Sequence, residues 1–141
     1  MTRHVVHSVA GMEALGALMG RAMLPGTVLG LSGDLGSGKT AFVRGLVRGV
    51  GSDARVHSPT FALLNEYVGG RCLVHHLDLY RLSGAADVRA AGLEEYLVSP
   101  RGITAVEWIE RWDEPLPGLR RLFFRWIDEG TREVVDDMPG A

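Results

Sequence analysis

The sequence predicts an α/β fold, and three observations carry that prediction. Val28-Leu29-Gly30-Leu31 is a short apolar run of the kind a buried parallel strand needs, and it feeds a glycine-rich loop. After the loop, Phe42, Val43, Leu46, Val47 and Val50 recur at helical spacing, so the order is strand, loop, helix. Later in the chain, Ile103-Thr104-Ala105-Val106 is a second buried strand ending in a carboxylate, and two segments with central glycines, 61–79 and 119–135, have the form of antiparallel hairpins.

The loop itself reads Gly33-Asp34-Leu35-Gly36-Ser37-Gly38-Lys39-Thr40, which is G-x-x-x-x-G-K-[ST]. Backbone N–H groups in such a loop wrap phosphate oxygens, and the following helix turns the positive end of its dipole toward them. Gly33, Gly36 and Gly38 permit the dihedrals and the close approach this requires. Lys39 is expected to reach the β- and γ-phosphates, and the Thr40 hydroxyl to bind Mg²⁺. Composition sharpens the reading. Of 15 basic residues 14 are Arg, and the single Lys stands at 39, where a compact ammonium suits phosphate better than a planar guanidinium. A chance match arises in about one chain of this length in a few hundred, and the strand and helix on either side make it rarer. The implied activity is nucleotide hydrolysis.

Length leaves room for one domain, 1–141, and for no second catalytic unit. A hydrophobic content of 46% with 23% charged residues is globular, and no run reaches the roughly 18 apolar residues of a membrane span. The N-terminus lacks a signal-peptide core, so a cytoplasmic location is expected. One cysteine, Cys72, excludes an intrachain disulfide. A net charge of −2 disfavours an autonomous nucleic-acid surface, so contact with RNA is expected only through a partner.

Taken in order, Val5 to Val9 is read as an edge strand. Met12, Leu15, Met19, Ala22 and Met23 then form one apolar helix face ending before Pro25-Gly26. This stripe reads as core, with a second option that its first residues touch a nucleotide base. Ser58-Pro59-Thr60-Phe61 follows the second helix, and Ser-Pro forces an extended or turn backbone. Thr60 is either an ordinary strand start or a sensor of the γ-phosphate. In His75-His76-Leu77-Asp78-Leu79-Tyr80-Arg81, alternation puts His76, Asp78 and Tyr80 on one face, so the two histidines do not pair as metal ligands. Asp78 ends an apolar strand, where an unpaired carboxylate is costly. Residues 87–96 are expected as one or two short helices broken near Gly92. Glu107 follows the strand from Ile103, and it suits either a metal-holding carboxylate or a solvated strand end. Leu119 to Ile127 and Arg132 to Val135 close the fold as a hairpin.

Four segments, Gly-Asp-Leu-Gly-Ser-Gly-Lys-Thr (33–40), Ser-Pro-Thr-Phe (58–61), His-Leu-Asp-Leu-Tyr-Arg (76–81) and Val-Glu-Trp (106–108), together resemble the TsaE family, also called YjeE. The resemblance covers nearly the whole chain. It implies a three-layer P-loop NTPase domain with a mixed, mostly parallel sheet, Mg-ATP hydrolysis, and work with TsaB and TsaD in making threonylcarbamoyladenosine in transfer RNA. ATP turnover would reset or drive that transfer complex, with tRNA met only through it. By position, the resemblance puts Thr40 and Glu107 on Mg²⁺. It puts Gly33 and the backbone of Gly36, Ser37, Gly38, Lys39, Thr40 and Ala41 around ATP, and Arg132 at the nucleotide. Asp78 falls near the metal and the attacking water, and Thr60 at the switch. The family often has Pro after Glu-Trp, and this chain has Ile109. Two other readings of the loop are a small-molecule kinase, for which 141 residues leave little room for an acceptor pocket and lid, and a nucleotide-dependent binding switch. An N-K-x-D guanine selector is impossible with Lys39 the only lysine.

Overall fold

The computed structural model describes residues 1–57 and 63–138. Its strands are β1 (Thr2–Val6), β2 (Val28–Ser32), β3 (Leu64–Tyr67), β4 (Val74–Asp78), β5 (Ile103–Glu107), β6 (Arg120–Asp128) and β7 (Thr131–Asp136). Its helices are α1 (Val9–Ala22), α2 (Lys39–Gly49), α3 (Ala85–Ala90) and α4 (Glu94–Val98), with a 3-10 turn at Ile109–Arg111. The strands make one seven-stranded sheet in the order β1-β7-β6-β2-β5-β4-β3. β6, β2, β5 and β4 run parallel, whereas β3 at one edge and β7 near the other run against them, and β1 pairs antiparallel with β7. The mixed sheet is thus parallel in its middle, where layers on both sides hide the strands from water.

Alternation along the strands sorts the core into those two sides. Leu29 and Leu31 of β2 and Ile103 and Ala105 of β5 pack with Leu15 of α1 and Phe42 and Leu46 of α2. Val28, Leu77 and Val106 point the other way, toward Val88, Leu97 and Ile109. Fully burying such side chains contributes about 1.5–3 kcal/mol each, which makes these two clusters the main support of the three layers.

The two long helices approach each other backbone to backbone. A Cβ built on Gly16 would stand 2.1 Å from Phe42 O, one on Gly45 1.9 Å from Glu13 O, and one on Gly49 2.3 Å from Ala17 O. No side chain fits at those places. Arg44 and Arg48 of α2 then both pair with Glu13 of α1, at 3.1 and 2.9 Å.

Two expected boundaries move. The first strand is Thr2–Val6 instead of Val5 to Val9, because Ser8 caps α1 by accepting a hydrogen bond from Gly11 N at 2.9 Å. A capping hydroxyl there stabilises the helix by about 1 kcal/mol, enough to outweigh the β-propensity of Val9. The broken helix near Gly92 is α3 followed by α4, with Gly92 at φ +78° between them. Among the described residues, no helix is long and apolar enough to cross a membrane.

Candidate active site

β2 ends at Ser32, and the chain turns through the glycine-rich loop into α2. Gly36 at φ +78° and Gly38 at φ +106° hold left-handed backbone that a side chain would strain. Gly38 has a second reason to be glycine: a Cβ there would meet Met12 Cε at 2.6 Å, since α1 lies directly against the loop.

Lys39 opens α2 and is 5% exposed. Its ammonium donates to Gly33 O and lies 4.2 Å from the centroid of the Trp108 ring. Three N–H donors thus share one oxygen acceptor among the described residues, which leaves the ammonium able to take anionic oxygens. Burial holds its pKa below the usual lysine range, opposed by the charges of Glu107, Glu110, Asp78 and Asp34.

Parallel pairing of β4 with β5 sets Asp78 opposite Glu107 at the ends of the two strands. Glu107 is 4% exposed, and its Oε2 lies 3.4 Å from Thr40 Oγ1 and 2.6 Å from His76 Nε2. Burial raises the Asp78 pKa; the Tyr80 backbone N–H, donating to Oδ1 at 3.0 Å, opposes the shift, and repulsion from Glu107 adds to it. Lys39, Thr40, Asp78, Glu107 and Trp108 line one cavity of about 400 Å³ with the loop backbone at Gly36 and Gly38.

Arg132 is at the loop but on its other flank. Its Nε donates to Gly36 O at 3.1 Å and its guanidinium lies 5.5 Å from the Trp126 ring centroid. There it lines a second cavity, of about 250 Å³, with Ser8 and Met12 of the α1 start and with Gly36, Gly38 and Ala41. The loop therefore separates two recesses that share its backbone. Gly33 and Ser37 line neither: Gly33 O receives the Lys39 ammonium, and the buried Ser37 Oγ has no hydrogen-bond partner among the described residues. Thr60 lies outside the described residues.

Mg²⁺ fits this donor set. Hydroxyl and carboxylate oxygens suit a hard cation, which seldom takes an all-protein cage and prefers few protein ligands plus phosphates and water. Among the described residues, no group of three or more His, Cys, Asp and Glu is arranged to hold a metal. Thr40 and Glu107 would then act together with oxygens of a bound phosphate.

Two side chains at this site are named in the sequence analysis but given no role there. Trp108, in left-handed backbone at φ +60°, covers Lys39 and packs 4.8 Å from the Tyr80 ring. Such strain gathers at functional sites, yet nothing in a single sequence announces it. His76 touches Glu107; alternation assigns it to the Asp78 face, but its partner is 31 residues away.

Residues 6–134 match the family model described as Threonylcarbamoyl adenosine biosynthesis protein TsaE. The chain is 42% identical over 124 residues to the tRNA threonylcarbamoyladenosine biosynthesis protein TsaE of Nostoc sp., covering 85% of this chain and 75% of that one. With the protein of the same name from Treponema pallidum it is 37% identical over 134 residues, covering 94% and 98%. The crystal structure of Bacillus subtilis YdiB superposes with a TM-score of 0.79 at 29% identity, covering 96% of this chain and 83% of the other.

Proposed function

The chain belongs to the TsaE family of threonylcarbamoyl adenosine biosynthesis proteins, and from that premise we propose that it is a Mg²⁺-dependent ATP hydrolase supporting threonylcarbamoyladenosine modification of tRNA. Its turnover resets or drives a transfer complex of TsaB and TsaD, and tRNA is met only through that complex. The observation that carries the hydrolase reading is the convergence of Lys39, Thr40, Asp78 and Glu107 on one cavity beside the loop.

In this reading the loop amides from Gly36 to Ala41 and the start of α2 hold the ATP phosphates. The ribose and base lie on the Arg132 flank, against Ser8 and Met12. Mg²⁺, held by Thr40 and Glu107, neutralises phosphate charge when bound. Asp78 accepts a hydrogen bond from the attacking water and orients it. That water forms a new bond to the γ-phosphorus while the bond to the β–γ bridging oxygen breaks; ADP leaves with the electron pair and one proton of the water passes to a γ-phosphate oxygen. Lys39 turns from Gly33 O to the γ-phosphate oxygens and stabilises the charge spread over them in the transition state. Trp108 keeps bulk water from the ammonium, which strengthens that interaction.

The deciding experiment is phosphate release from ATP by the purified protein, with Mg²⁺ or EDTA and with or without TsaB and TsaD. Mg²⁺-dependent release that Lys39→Ala removes supports the reading. Absence of release under every condition overturns it.

A further inference from the structure

We propose that His76 is a positioning residue for the Glu107 carboxylate, with Tyr67 fixing the tautomer in which His76 does so. The proposal rests on the reading of Glu107 as a metal-side carboxylate.

His76 is 0% exposed, at the centre of β4, and its ring touches polar groups at both nitrogens. Nε2 is 2.6 Å from Glu107 Oε2, and Nδ1 is 3.3 Å from the Tyr67 hydroxyl. Tyr67 is buried in turn, and Asn65 Nδ2 stands 3.4 Å from its hydroxyl and 3.2 Å from His57 O. The Tyr67 hydroxyl also lies 3.2 Å from His57 O, and with Asn65 taking that acceptor one arrangement uses every donor once. Asn65 donates to His57 O and to the Tyr67 hydroxyl, Tyr67 donates to His76 Nδ1, and His76 donates from Nε2 to Glu107.

A histidine needed only to fill the core would be better replaced by an apolar side chain, because burying a carboxylate beside it costs several kcal/mol in desolvation. The contacts also fall selectively. Both the His76 and the Thr40 contact are with Oε2, and Oε1 has no partner among the described residues. His76 therefore anchors one carboxylate oxygen and leaves the other for a ligand. Outer partners of ligating groups act this way, and losing one weakens metal binding or activity about 10–100-fold.

The test compares His76→Leu, His76→Gln and Tyr67→Phe with wild type. Binding of a non-hydrolysable ATP analogue is measured against Mg²⁺ concentration and again in EDTA, and ring tautomers are read from long-range ¹H–¹⁵N spectra. His76→Leu is expected to need about 10–100-fold more Mg²⁺ while binding in EDTA stays within about twofold. His76→Gln, whose amide N–H reaches the same oxygen, recovers most of the loss, and Tyr67→Phe falls between. Wild type is expected to carry the proton on Nε2. An unchanged Mg²⁺ midpoint in His76→Leu, or a proton on Nδ1, overturns the role. If His76→Leu does not fold, an unchanged midpoint in both other variants with no Nε2–H signal does the same. Wild type that binds the analogue with Mg²⁺ dependence but releases no phosphate overturns the hydrolase reading alone. Wild type indifferent to Mg²⁺ overturns the metal role of Glu107 and this proposal with it.

Discussion

Thr40 Oγ1 and Glu107 Oε2 stand 3.4 Å apart although 67 residues separate them in the chain. The first turn of α2 and the end of β5 meet there, so neither residue alone makes the oxygen-rich corner. Glu107→Ala is expected to keep the fold and to raise the Mg²⁺ needed for half-maximal ATP hydrolysis at least tenfold. A metal titration identical to wild type would contradict the assignment.

Lys39→Ala is expected to lower ATP turnover by about 10²–10³-fold, the range seen when one preorganised donor to a developing charge is removed. Thermal stability should hold, because the variant also removes an ammonium whose burial is unfavourable. Phosphate release and a melting curve on the same preparation check both halves.

Arg132→Ala removes the guanidinium that binds Gly36 O on the far flank of the loop. One hydrogen bond to a charged group contributes about 1.5–3 kcal/mol, so ATP affinity should fall about tenfold or more. The Mg²⁺ midpoint should not move, since Arg132 is absent from the cavity that holds Thr40 and Glu107. Isothermal titration with ATP at fixed Mg²⁺ measures the first, and a Mg²⁺ series the second.

Gly45→Ala sets two effects against each other. Helix propensity favours Ala by about 1 kcal/mol. A Cβ 1.9 Å from Glu13 O forces α1 and α2 apart, and overpacking of this kind costs about 1–3 kcal/mol. Because the clash is with backbone, which has no rotamer to yield, the loss should win. Urea unfolding is expected to give a variant less stable than wild type, and a gain in stability would contradict the close packing.

Asp136→Asn tests the ion pair that ties β7 to the start of β6. Burial pushes the Asp136 pKa up, but hydrogen bonds from Arg120, at 3.2 and 2.6 Å, and from Met138 N outweigh it and hold the carboxyl below its usual range. A lowered folded pKa contributes stability above the unfolded value, about 3.9, and that contribution is lost as pH falls through the folded value. Wild type should exceed Asp136→Asn by about 2 kcal/mol at pH 7, and the gap should close below about pH 4. Denaturant unfolding of both proteins at several pH values checks the sign.

What could be read from the chain beforehand was local. The loop from Gly33 to Thr40 declares itself because its chemistry needs fixed residue types at fixed spacing, and β2 and α2 follow from periodicity on either side. Asp78 and Glu107 stand out because each is a carboxylate closing an apolar strand. The contact of His76 with Glu107 was hidden, since parallel pairing of β4 and β5 creates it across 31 residues. Gly16, Gly45 and Gly49 carry no local signal of their role, because it lies in the close approach of the neighbouring helix backbone. Ser8, read as strand, is the cap of α1.

With 14 Arg and a single Lys, the chain carries just one ε-amine, and it sits in the recess beside the glycine-rich loop. Amine-directed acylating reagents should therefore modify this protein at two positions, the chain's α-amino group and Lys39. A lowered pKa raises the free-amine share of Lys39, and ATP should shield it. Intact-mass spectrometry of a briefly acylated sample would report nucleotide occupancy without a label, a mutation or a partner.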